Sequence, residues 1–306
     1  MGSEQGKARE AAELRAPSRR ARVEARATLL AERAQAERAR HPSVDAVFEM
    51  VDRDGEAGGG IIAGALAYRF FIWLLPLALV SVAGLGLAAD AASESPDQTA
   101  RKLGLSGLVS SSVANAAQGP GRWYALAIGI PILVYVTRSL LRALIVTHRL
   151  LWQDTRAAAP KPTLKATLGL LVLLLGFSAA GTLASAMRAW SPGPGVLVTL
   201  LAVVPAAGLW LAITLYLPHR SAHWTGLVPG ALLGALGLEA LHVFTAYVLA
   251  PYAIAKQGTY GVLGAAAALL LGLFVLSRLV VAAAVLNAIL WERREGGGGR
   301  PAPSGV

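Results

Sequence analysis

Six stretches of this chain are each long and apolar enough to cross a bilayer, at about residues 60–88, 123–150, 164–188, 195–217, 225–250 and 259–291. Crossing the ~30 Å hydrocarbon core takes about 20 helical residues. No water is present there to satisfy an open backbone, so each stretch is expected to be a helix. The fold class is therefore an all-α integral membrane protein, a bundle of six transmembrane helices with short amphipathic interfacial helices. Composition agrees, with 55% hydrophobic and 15% charged residues and a mean hydropathy of +0.54. Five of the seven Trp residues, Trp123, Trp152, Trp190, Trp224 and Trp291, fall at the proposed span ends, as an interfacial aromatic belt requires.

The spans divide the chain. Residues 1–43 read as a polar cytoplasmic tail, disordered or helical, residues 44–292 as the membrane domain, and residues 293–306 as a flexible cytoplasmic tail. Val44, Val47, Phe48 and Val51 recur at helical spacing opposite Asp45, Glu49 and Asp52, which predicts an amphipathic helix on the membrane surface or against the bundle. Leu103, Leu108, Val109 and Val113 predict a second one in the long outer connection. Gly60 with Gly64, Gly230 with Gly234, Gly176 with Ala180 and Gly264 with Ala268 are spaced for close helix contact. Pro76, Pro131, Pro205 and Pro229 are expected to kink or start helices.

Charge sets orientation and excludes partners. The net charge of +10 lies entirely in residues 58–306, because residues 1–57 hold eleven basic and eleven acidic residues. An excess carried by loops and spans fits anionic lipid rather than nucleic acid. With the N-terminus inside, nineteen Lys and Arg fall on the cytoplasmic side and five outside, so both termini are expected to be cytoplasmic. Residues 1–40 lack the form of a signal peptide, so the spans themselves are expected to direct insertion.

Catalytic chemistry finds little support. The chain has no Cys, which excludes thiol nucleophiles, disulfides and Cys-based metal sites. His219 and His223 follow Pro218 with no carboxylate nearby to complete a metal site, and Asp90, Glu94 and Asp97 read as a solvated cluster. There is no phosphate-binding loop. No enzyme activity, metal or cofactor is expected.

Three segments carry a family resemblance: GALAYRFFIWLLPL (64–77), LPHRSAHWTGLVPGALLGALGLEALHVFTAYV (217–248) and TYGVLGAAAALLLGLFVLSRLVVAAAVLNAIL (259–290). They resemble the first, fifth and sixth spans of the YihY/BrkB membrane-protein family, over about residues 44–292. The matching positions are Ala67-Tyr68 with Pro76, Pro229-Gly230, Tyr260-Gly261 and Asn287. The last span reads AAAVLNAIL where the family often has Gly-Ala-Glu-Leu-Asn, so an acidic residue is missing. The resemblance implies a six-span protein of the bacterial inner membrane. It brings no mechanism, and the family's older ribonuclease label has no support in these residues.

The functional expectation rests on charges inside the spans, which are Arg69, Arg138, Arg142, Arg278 and Glu239. Each costs ~2.5–3.5 kcal/mol at mid-bilayer unless it snorkels, pairs or faces water. Arg138, Arg142 and Arg149 share one face of the second span. Arg69 and Glu239 lie at similar depths, about 13 and 15 Å in from Gly60 and Pro229, where an ion pair is possible. Four in-span arginines against one carboxylate call for an anion. The expectation is an inward-facing basic cavity for an anionic lipid or solute, with Arg69, Arg138, Arg142 and Arg278 as ligands. Glu239 would be its counter-ion or proton acceptor. Partners would be anionic membrane lipids, a further protein or a second copy. The alternative is a non-transporting scaffold that acts through a partner in envelope maintenance.

Overall fold

Apolar side chains on all sides, rather than along one stripe, suit helices whose surroundings are either neighbouring helices or hydrocarbon. The computed structural model describes residues 26, 28, 29, 32, 35, 38, 40–91, 121–154, 161–190, 196–220, 222–245 and 257–295. Among these, seven helices form and no strand does: α1 Pro42–Glu56, α2 Gly59–Ala91, α3 Arg122–Leu151, α4 Leu164–Trp190, α5 Val196–Tyr216, α6 Trp224–Phe244 and α7 Gln257–Glu295. Five are long and apolar enough to cross a membrane, over Gly59–Asp90, Arg122–Leu151, Leu164–Gly181, Trp224–Phe244 and Ala266–Glu295. The described apolar part of α5, Leu201–Tyr216, is shorter. The outer connection with Leu103, Leu108, Val109 and Val113 lies outside the described residues, as do residues 296–306. Helix α7 runs to Glu295, three residues past the expected end of the membrane domain at 292.

The chain divides into two units, Met1–Val51 and Asp52–Val306. In the first, Arg38 pairs with Asp45 at 3.2 Å and lies over the Phe48 ring, and Val47 is exposed. In the second, consecutive helices are neighbours, as short connections favour. Helix α2 packs on α3, α3 on α4, α4 on α5, α5 on α6 and α6 on α7, and α7 closes the ring on α2 while also touching α3.

The joint between α6 and α7 shows why the family positions Pro229, Gly230 and Asn287 belong together. Pro229 has no N–H and clashes with the carbonyl a turn earlier, which opens the helix ladder. Asn287, fully buried, bonds the backbone on both sides of Pro229: its Oδ1 accepts from the Gly230 N–H at 2.8 Å and its Nδ2 donates to the Leu227 carbonyl at 3.2 Å. A side chain at Gly230 would meet Asn287 and the Ala283 carbonyl, and one at Gly234 would meet the Trp210 indole. Of the glycine pairs, Gly230 and Gly234 are therefore at a close contact. Gly60 and Gly64 are not, since nothing lies within 4 Å of where their side chains would begin.

The aromatic belt is also revised in one place. Trp123 and Trp224 are exposed, as interfacial residues should be, but Trp152 is 1% exposed. It packs against Trp291, Ala222, Leu227 and Ala288, with ring centroids 6.1 Å apart for the two indoles. Gln153, with positive φ, follows directly where α3 ends, and the Trp152 ring is covered by neighbours from α6, α7 and the connection before α6 instead of facing lipid.

Candidate functional site: a bare arginine face

Helices α2 and α3 meet along a polar seam. Arg69 and Trp73 are one turn apart on α2 and face Ser139 and Thr137 on the antiparallel α3. On the buried side the Trp73 indole N–H donates to Thr137 Oγ1 at 2.9 Å, and that hydroxyl donates to the Leu133 carbonyl at 2.6 Å. On the open side the Arg69 guanidinium donates to Ser139 Oγ. This is its one hydrogen bond among the described residues, and it leaves the charge uncompensated. Arg138 and Arg142, one turn apart on α3, are exposed and have no hydrogen bond or ion pair among the described residues. Tyr68 and Tyr135 are 62% and 73% exposed on the same two helices.

The depth of these groups makes the arrangement unusual. At ~1.5 Å per residue, Arg69 is about 15 Å from the start of α2 at Gly59, and Arg142 about 14 Å from the end of α3 at Leu151. Both positions are well inside their helices, about a third of the way from the end at which α2 starts and α3 finishes. The arginines thus form an outward face on two membrane-length helices, and three cavities among the described residues have other linings.

The other two candidates have different surroundings. Arg278, on α7, is held by both oxygens of Asp54, at 3.0 and 2.8 Å. Gly59 packs directly on that pair, so a side chain there would strike the carboxylate. Glu239 lines a cavity of about 350 Å³ between α4, α5 and α6, together with His242, Ser178 and Thr245. Because α2 packs on α3 and α7, the structure gives Arg69 the hydroxyl of Ser139 and not the carboxylate of Glu239.

Sequence reasoning missed a second group of charges. Arg53, 8% exposed in the last turn of α1, donates to both oxygens of Glu292 at 2.6 and 3.1 Å and to the Leu151 carbonyl at 2.9 Å. Arg220 donates to the Gln153 carbonyl at 2.8 Å with its guanidinium over Trp291, and Arg149 reaches Asp154. Three guanidiniums thus converge on the carbonyl-rich end of α3, where the helix dipole favours cations. Arg149 belongs to this corner, although it shares a helical face with Arg138 and Arg142. The available signal was the Arg53-Asp54 pair of opposite charges just ahead of the first span, beyond the apolar face that drew attention to α1.

Long apolar helices packed in a ring, with arginines inside two of the spans on one outer face, define a polytopic helical membrane protein. Its family follows from comparison: residues 50–304 match the model of the Virulence factor BrkB family, and the chain belongs to that family. No curated protein matches the chain, and no solved structure does.

Proposed function

We propose that this protein moves a phosphate-bearing anionic lipid across the bacterial inner membrane, along the α2–α3 seam. The observation that carries the reading is the outward exposure of Arg69, Arg138 and Arg142 inside two spans, where among the described residues Arg69 has Ser139 and the other two have no protein partner. Three cations at ~2.5–3.5 kcal/mol each in hydrocarbon need an anion, and a guanidinium takes a phosphate through two parallel hydrogen bonds. Since the face opens to the bilayer, the anion has to arrive from it. A phospholipid meets that requirement, with its headgroup on the arginines and its acyl chains in the surrounding lipid. A second copy in a two-fold contact through this face would set arginine against arginine, so a homodimer there is disfavoured.

The protein takes six spans in this reading, α5 completing the ring, with α1 interfacial, no enzymatic activity and no cofactor. The excess of Lys and Arg on one side puts both termini in the cytoplasm. Arg278 serves structure through Asp54. Glu239 remains a proton acceptor candidate away from the seam, in its own cavity.

The test is reconstitution into liposomes with fluorescent acidic and zwitterionic phospholipids, followed by quenching from outside. Wild-type protein should speed transfer of the acidic lipid, and Arg138→Gln with Arg142→Gln should cut the rate at least tenfold. Equal rates with and without wild-type protein would reject lipid movement and leave the scaffold.

A further inference from the structure

The centre of the ring holds a cavity of about 80 Å³ that the arginine seam does not use. Helices α2, α3, α4, α5 and α7 all contribute walls, among them Phe70, Leu144, Leu174, Trp210 and Ala284. Apart from the Trp210 indole, its polar side chains are His148 and Thr214. Gly234 fixes the indole, which lies flat where a side chain on that glycine would be.

His148 is 3% exposed, and its Nδ1 lies 3.1 Å from the Leu144 carbonyl. A carbonyl only accepts, so Nδ1 carries the hydrogen and Nε2 of the neutral ring is left with its lone pair. No partner for Nε2 exists among the described residues. Thr214 has committed its hydrogen to the Trp210 carbonyl at 2.9 Å and can only accept further. The cavity therefore presents two acceptors, beside the indole of Trp210, on otherwise apolar walls, and the chain supplies no donor to Nε2 among the described residues.

We propose that the cavity is a binding site for a small neutral molecule with an apolar body and one O–H or N–H donor, which His148 Nε2 accepts. A dry cavity of ~150 Å³ accommodates benzene, so this one suits a body of about four non-hydrogen atoms. Such solutes concentrate in the bilayer around the protein. Charged or strongly hydrated molecules are excluded by the lining. The site is independent of lipid movement along the seam, and its test needs no transport.

The full chain, ring-¹⁵N-labelled at histidine and held in lipid nanodiscs, would be titrated with propan-2-ol and with acetone. The two have the same size and only the alcohol has a donor. The His148 signal is assigned by its loss in His148→Gln. Propan-2-ol should shift the Nε2 resonance saturably in the millimolar range, as its few atoms allow. Acetone should be at least tenfold weaker. Ala284→Leu, which fills the cavity, should abolish the shift, and Leu174→Ala, which enlarges it, should move the preference from propan-2-ol to cyclopentanol. Equal responses to alcohol and ketone, an Nε2 signal that neither moves, or one already exchanging freely with bulk water would each overturn the proposal.

Discussion

The seam between α2 and α3 and the corner around the ends of α1, α3 and α7 use the same side chain in opposite ways. In the corner, Arg53 meets Glu292 and a helix-terminal carbonyl, and Arg278 meets Asp54. Every guanidinium there has an anion or carbonyl supplied by the chain. In the seam, Arg69 has one serine hydroxyl, and Arg138 and Arg142 have no partner among the described residues. Composition alone treats them as one surplus of positive charge. Their pairing separates arginines that hold the fold from arginines that the fold leaves available.

Breaking the corner should have the largest effect. Arg53→Ala strands the Glu292 carboxylate and the Leu151 carbonyl in a mostly buried place and is expected to cost about 3 kcal/mol, read as a lower unfolding midpoint in detergent. An unchanged midpoint would erase the distinction between the two regions. Asp54→Ala should cost less, about 1 kcal/mol, because Arg278 is partly exposed and can turn toward water or headgroups. The smallest effect belongs to the seam. Arg138→Leu with Arg142→Leu should leave the midpoint in neutral detergent within about 0.5 kcal/mol of wild type, since no protein contact is lost. The same pair should lose the added stability that acidic phospholipid gives the wild type, measured by repeating the unfolding with that lipid. A large loss in neutral detergent would mean that the seam is structural after all.

Much of the fold was legible because the bilayer imposes length and polarity on each span, and five of the described helices meet both conditions. The link between Pro229-Gly230 and Asn287 was half legible. The positions stood out by resemblance, but two hydrogen bonds between residues almost sixty apart cannot be read from either segment. The candidate arginines were found by cost, since a charge in an apolar run is conspicuous. Their fates were not, because depth along a helix says nothing about rotation around it. Arg278 turns to Asp54, Arg69 to Ser139, and Arg138 to the outside, and these directions depend on which helices are neighbours. Trp152 failed for a related reason: a tryptophan at a span end suits the interface, and its burial depends on Ala222, Leu227, Ala288 and Trp291, all far along the chain.

The Asn287 lock also bears on how the bundle can move. Its two bonds use one acceptor and one donor of a single amide, and they reach backbone groups three residues apart on α6. Sliding α7 by even one residue would break both, and Gly230 permits no gap through which the amide could re-form them. Helices α6 and α7 therefore travel as one rigid body. Any opening of the ring has to take place at another joint, and the one between α3 and α4, the most lightly packed of the joints between neighbouring helices, has the least to lose.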